Sequence, residues 1–89
     1  MSIRVHGAKE CAMYSEGERL DLKQLGNNIR ELRKFRNYSQ EGFADAVGLH
    51  RTYMGGVERG ERNISILNLL KILRKLEATP DEIFSDISI

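Results

Sequence analysis

The chain has 89 residues, which is the length of one domain with a modest hydrophobic core. Its 40% hydrophobic residues, 30% charged residues and single proline are typical of a soluble helical protein. No apolar run approaches the roughly 20 residues of a membrane span, and the N-terminus lacks a secretory pattern. The one cysteine, Cys11, cannot form an internal disulfide, so we predict a cytoplasmic protein with no membrane partner.

The net charge of +1 gives no indication of a nucleic-acid partner, but the charges are unevenly distributed along the chain. Residues 30–62 contain seven basic side chains and five acidic ones. Residues 77–89 contain four acidic side chains and no basic one. The acidic tail therefore offsets the positive charge of the middle of the chain in the overall sum. The basic middle is compatible with an anionic partner.

Residues 1–21 are weakly patterned, because Gly7 and Gly17 interrupt any helical periodicity, and we predict an N-terminal arm there that is flexible or partly helical. A helical domain of residues 22–89 follows the arm. From residue 22 onwards, apolar side chains recur at three- and four-residue steps, so they share one face of a first helix that ends near Asn37. These side chains are Leu22, Leu25, Ile29, Leu32 and Phe35.

The remaining helices are indicated by the residues that cap their ends. Ser39 caps a second helix that ends at Gly48, and a third short helix covers residues 51–59. Ser65 caps a fourth helix, and Thr79-Pro80-Asp81-Glu82 caps a fifth. The fourth helix has a broad apolar face formed by Ile66, Leu69, Leu70, Leu73 and Leu76. No stretch alternates with a period of two, so we predict an all-α fold of five helices.

The second and third helices are joined by the tight turn Gly48-Leu49-His50, an arrangement typical of a helix-turn-helix motif. In that motif the second of the two helices enters the major groove of DNA, so the third helix of this chain is the predicted recognition helix. Its outward face includes Gly55 and Gly56, although each glycine costs about 0.5–1 kcal/mol relative to alanine. Bare backbone on an exposed face suits a surface that another molecule approaches closely, so we predict a base contact at Gly56.

Arg51 and Thr52 stand at the N-terminal end of this helix, the end that usually reaches base edges. Arginine can donate two parallel hydrogen bonds to guanine, and a threonine methyl can contact thymine, so both residues are predicted base contacts. Polar and basic side chains around the helix are predicted phosphate contacts, which fix the position of a protein on DNA without reading its sequence. They are Arg36, Gln40, His50, Arg62, Asn63 and Ser65.

Residues 25–84 resemble the lambda-repressor-like (Xre/Cro-type) helix-turn-helix family. The matching segments are Ile29-Arg30-Glu31-Leu32-Arg33, Ser39-Gln40-Glu41, Ala44-Asp45-Ala46-Val47-Gly48-Leu49 and Tyr53-Met54-Gly55-Gly56-Val57-Glu58-Arg59-Gly60. Within the family, the segments most similar to the controller proteins of restriction–modification systems are His50-Arg51-Thr52-Tyr53, Gly56-Val57-Glu58-Arg59-Gly60 and Arg62-Asn63. The resemblance implies the five-helix domain and the DNA contacts above, together with a buried ion pair between Arg33 and Glu58. The chain departs from the family at His50, where serine, threonine or aspartate is usual.

We therefore expect a transcriptional regulator that binds a palindromic operator in double-stranded DNA as a homodimer, because one short helix reads too few base pairs. Ile83, Phe84 and Ile87 of the last helix are the predicted dimer contacts. We expect no cofactor, no small-molecule ligand and no metal site, since His6 and Cys11 lack further ligands at zinc-site spacing. Activation of transcription would require a contact with RNA polymerase.

The alternatives to a restriction–modification controller are a phage-type repressor, an antitoxin, and a protein-interaction module that uses the same fold without DNA. The basic middle of the chain argues against the interaction module. We do not expect an enzyme, because the sequence has no nucleophile–base pair, no phosphate-binding glycine loop and no metal cluster. The chain is also too short for a deep catalytic cleft.

Overall fold

The computed structural model describes residues 13–89, and within this range the chain forms five α-helices and no strand. In chain order the helices are α1 (Glu16–Phe35), α2 (Gln40–Val47), α3 (Arg51–Glu58), α4 (Ile66–Leu76) and α5 (Pro80–Ile83). The prediction of an all-α fold with five helices is confirmed. None of these helices is long and apolar enough to span a membrane.

The capping residues of the shorter helices act as the sequence predicts. Ser39, Ser65 and Thr79 each accept a hydrogen bond from the backbone N–H three residues further on, at 2.9, 3.1 and 3.2 Å. These bonds satisfy N–H groups that have no partner inside the first turn of a helix. At the other end of α2, Gly48 has a φ of 77°, a left-handed conformation that glycine adopts readily. The turn between α2 and α3 is therefore sharp and local in origin.

The start of the first helix differs from the prediction. α1 begins at Glu16 and not at Leu22, because Ser15 and Glu18 form a reciprocal capping box with N–H···O distances of 3.1 and 2.9 Å. Gly17 lies in the first turn, ahead of the hydrogen-bonded interior, so it does not break the helix. Residues 16–21, which the sequence analysis assigned to the arm, are thus helical; residues 1–12 of the predicted arm lie outside the described residues.

One apolar core joins the helices. Its fully or almost fully buried members are Ile29, Phe43, Ala44, Val47, Met54, Val57, Leu69, Ile72, Leu76 and Ile83. Two residues of the predicted apolar faces are largely exposed, Phe35 at 76% and Ile66 at 70%. Phe35 is the last residue of α1 and Ile66 the first of α4, so both extend the apolar face of a helix beyond the point where a neighbour covers it.

The backbone of α1 runs against the C-terminal end of α3. A Cβ added to Gly26 would lie 2.6 Å from the carbonyl oxygen of Glu58 and closer still to that of Val57. A few residues away, a Cβ on Gly60 would lie 2.6 Å from Cα of Lys23, and Gly60 itself has a φ of 76°. Both positions need glycine because backbone meets backbone there. This contact fixes the end of α3 on the rest of the domain.

Candidate nucleic-acid interface

The N-terminal end of α3 is exposed and is capped by an imidazole. Nδ1 of His50 accepts a hydrogen bond from the N–H of Thr52 at 3.2 Å. A ring nitrogen that accepts a hydrogen bond carries no proton, so this contact requires an unprotonated Nδ1. His50, Arg51 and Thr52 are all exposed. The structure therefore brings together two predicted base contacts and one predicted phosphate contact at the end of α3 that DNA-binding helices use.

Arg51 is engaged by an acidic residue of the preceding helix. Its Nη1 lies 2.7 Å from Oε2 of Glu41, in the first turn of α2, and the two side chains are 63% and 64% exposed. Glu41 was not among the predicted site residues. No spacing rule predicts this pair, because the two residues lie on different helices and meet only once the turn between α2 and α3 has formed.

Gly55 and Gly56 are buried, so the prediction of bare, exposed backbone on the outward face of α3 is wrong. A Cβ on Gly56 would lie 2.7 Å from Cγ of Arg62. A Cβ on Gly55 would lie 3.1 Å from Nη1 of Arg59 and 3.3 Å from Oε1 of Gln40. The glycines make room for these long side chains, which lie across the helix. A base contact at Gly56 would require Arg62 to move aside.

Arg59 was missed as a candidate, although its spacing indicated it, because it lies four residues after Gly55 and therefore on the same side of the helix. In the structure it is the C-cap of α3, is exposed, and is paired with Glu61 at 3.1 Å. The outward face of α3 thus presents the guanidinium groups of Arg51, Arg59 and Arg62. This is the basic surface that the uneven charge distribution indicated.

A buried polar network holds the rear of α3. Arg33 donates to both carboxylate oxygens of Glu58, from Nε at 2.7 Å and from Nη2 at 3.0 Å, which is the ion pair that the resemblance implied. Arg33 also donates to the carbonyl of Tyr38 at 2.8 Å, and Nε2 of Gln40 donates to Glu58 at 2.9 Å. The side chains of Arg33 and Glu58 are 9% and 2% exposed. Since every oxygen of the carboxylate has a donor, the buried charge is fully compensated.

The predicted phosphate contacts other than His50 fall into two groups. Arg62, Asn63 and Ser65 are exposed in and beside the loop that leads into α4, and the hydroxyl of Ser65 caps that helix. Gln40 and Arg36 are engaged within the protein. The amide nitrogen of Gln40 donates to Glu58, and Nε of Arg36 donates to the carbonyl of Leu76 at 2.8 Å, at the C-terminal end of α4. A phosphate contact from either of these two would require those bonds to be released.

The predicted dimer contacts are corrected in one position. Ile83 is 0% exposed and belongs to the core, so it cannot contact a partner. Phe84 and Ile87 are half-buried and line a shallow apolar hollow that also includes Leu22 and Leu25. Asn63, from the loop before α4, borders this hollow.

Two short helices, α2 and α3, are joined by a tight glycine turn. The second of them is basic on its outward face and is held on its inner side by the Arg33–Glu58 pair. This arrangement defines a helix-turn-helix protein. Residues 29–83 match the helix-turn-helix family model, and the chain belongs to this family. It is 46% identical over 69 residues to the control protein C.MunI of a Mycoplasma species, a match that covers 75% of this chain and 93% of that one.

Solved structures show the same likeness. The restriction–modification controller protein C.AhdI from Aeromonas hydrophila is 48% identical with a TM-score of 0.69, over 73% of this chain and 98% of that one. The C.Esp1396I controller tetramer, solved in complex with its natural 35 base-pair operator, is 31% identical with a TM-score of 0.65. That match covers 80% of this chain and 88% of the relative. The predicted family is thereby confirmed.

Proposed function

We propose that the protein is a cytoplasmic transcriptional regulator that binds a palindromic operator in double-stranded DNA as a homodimer, as the controller of a restriction–modification system. The observation that carries this proposal is the exposed N-terminal end of α3, with Arg51 and Thr52 at the surface, on a helix whose rear is fixed by the Arg33–Glu58 pair. The likeness to C.MunI, C.AhdI and C.Esp1396I favours a controller over a phage repressor or an antitoxin.

In this proposal Arg51 and Thr52 read base edges in the major groove, and Arg62, Asn63, Ser65 and His50 contact phosphates. The phosphate contacts come from both ends of α3, which would set the helix in the groove from both sides. Such contacts release counterions and make affinity strongly dependent on salt. No catalytic step is part of the proposed function.

The dimer is proposed to form around Phe84 and Ile87, which line the apolar hollow beside Leu22 and Leu25. Ile66 and Leu67, at the start of α4, are two further exposed apolar side chains, at 70% and 72%. A two-fold dimer would place its recognition helices about 34 Å apart, one turn of DNA. If the protein activates transcription, the DNA-bound dimer would also contact RNA polymerase.

The experiment that tests the proposal is selection of bound duplexes from random DNA by the folded protein, followed by gel shift at low salt. We expect a palindromic consensus, a complex of two chains per duplex, and a drop in affinity as salt increases. Folded protein that retains no duplex would instead support the protein-interaction module. A bound consensus without two-fold symmetry would refute the homodimer.

A further inference from the structure

The pair between Glu41 and Arg51 places an acidic side chain directly on the principal base-reading residue. We infer that Glu41 is a specificity-determining residue: it holds the Arg51 guanidinium and releases it only to a base that offers two hydrogen-bond acceptors. The inference rests on the proposed function, because it presupposes that Arg51 reads a base. It gives a role to a carboxylate at the interface, where an acidic group would otherwise weaken binding to phosphates.

The geometry makes Glu41 a suitable competitor for Arg51. Glu41 lies in the first turn of α2, which Ser39 caps, so its backbone is fixed relative to the turn that follows. The carboxylate reaches Nη1 of Arg51 at 2.7 Å, across the turn between the two helices. Arg51 is the first residue of α3, and its side chain is 63% exposed. The guanidinium can therefore leave the carboxylate without any movement of the backbone.

The ion pair between Glu41 and Arg51 is weaker than a bidentate contact between Arg51 and guanine. An ion pair between two exposed side chains shifts an equilibrium by roughly 1.5- to 5-fold. A bidentate contact to guanine discriminates by about 5- to 150-fold, so guanine displaces Glu41 readily. A base that offers a single acceptor gains far less, and Arg51 then remains with Glu41. The pair is thus broken in the operator complex and kept in complexes with wrong sequences, so it weakens binding to the operator more and limits the discrimination that Arg51 provides.

Asp45 provides a matched control on the same helix. It lies one turn after Glu41, and the two acids line one shallow hollow together with Gly48, His50 and Arg51. In the part of the chain that the structure describes, Asp45 forms no salt bridge. Replacement of either acid by its amide removes one negative charge from the same surface. Only the replacement of Glu41 frees the guanidinium of Arg51.

The test compares Glu41→Gln with Asp45→Asn, each alone and each combined with Arg51→Ala. Two duplexes are used at one fixed salt concentration: the operator selected by the unmodified protein, and the same duplex changed at the base pair where Arg51→Ala loses its preference. We expect Glu41→Gln to tighten binding to the operator more than to the changed duplex, so that the ratio of the two affinities rises about 1.5- to 5-fold. Asp45→Asn should change both affinities equally.

In the Arg51→Ala background, Glu41→Gln should leave the ratio unchanged. The inference is overturned if Glu41→Gln leaves the ratio unchanged in the unmodified background, if Asp45→Asn raises it as much, or if the effect persists without Arg51. An unmodified protein that binds no duplex, or an Arg51→Ala variant that keeps every base preference, would show that the proposed function itself is wrong. Thermal melting of each variant identifies loss of folding, and Glu41→Ala provides a second variant with the same expected change in ratio.

Discussion

The buried pair between Arg33 and Glu58 makes the stability of the domain depend on one arginine. In Arg33→Ala the Glu58 carboxylate would lose two of the three hydrogen bonds it accepts and keep only the one from Gln40. The carbonyl of Tyr38 would lose a donor as well. Because the Glu58 side chain is only 2% exposed, water cannot replace these partners. We expect a loss of about 3–5 kcal/mol, a large part of the roughly 5–15 kcal/mol that stabilises a typical domain.

The assay is urea unfolding followed by circular dichroism, with Arg30→Ala as the control. Arg30 lies on the same helix, its side chain is 50% exposed, and its contact with Glu31 is 3.9 Å long, so its removal should change stability by about 0.5 kcal/mol or less. The double variant Arg33→Met with Glu58→Leu removes both charges together and should be more stable than Arg33→Ala alone. A cost of less than about 1 kcal/mol for Arg33→Ala would refute the argument that the charge is buried and dependent on its partner.

Further predictions concern the helix contact, the DNA contacts and the dimer. Gly26→Ala should destabilise the protein by about 1–3 kcal/mol or more, because its Cβ would overlap carbonyl oxygens. The control Gly17→Ala, whose Cβ would have its nearest neighbour at 3.9 Å, should be neutral or stabilising. Equal unfolding midpoints for the two variants would contradict this prediction. Arg51→Ala should cost about 1–3 kcal/mol in binding and relax preference at one base pair. Arg62→Ala should weaken binding evenly across sequences and reduce the salt slope by about one unit, and identical sequence profiles for these two variants would contradict the division of roles. Ile87→Ser should shift the sedimentation equilibrium towards the monomer, and an unchanged dimer would exclude this surface as the interface.

The parts of the fold that depend on residues close in sequence could be predicted, because capping and turn chemistry act over three or four residues. Ser39, Ser65 and Thr79 cap the helices that their positions indicate. The same rule would have found the capping box of Ser15 and Glu18, but the two glycines of the N-terminal segment outweighed it. A glycine lowers helix stability only modestly, and least in a first turn, so it is a weak reason to reject a start signal.

The parts of the site that depend on other elements could not be predicted. Periodicity places Gly56 on the outward side of α3, but it does not show that Arg62 arrives from the following loop to cover it. In the same way, Ile83 follows a clear helix start, yet only the packed structure shows that it belongs to the core and not to the outer surface. Gln40 was predicted to contact a phosphate because its side-chain amide can donate to an anion, and in the structure that amide donates to the buried carboxylate of Glu58.

α3 has eight residues and two adjacent glycines, so its order must come from the rest of the protein, since isolated helices shorter than about 12–15 residues are marginal in water. Its order comes from the rear, where Arg33 and Gln40 bind Glu58 and α1 packs on the backbone at Gly26. On the front, among residues 13–89, Arg51 and Arg59 are held by exposed ion pairs, each of which contributes about 0–1 kcal/mol. DNA can exchange those pairs without disturbing the helix. We therefore expect this protein to adapt to different base pairs by rotation of arginine side chains, on a backbone that stays fixed.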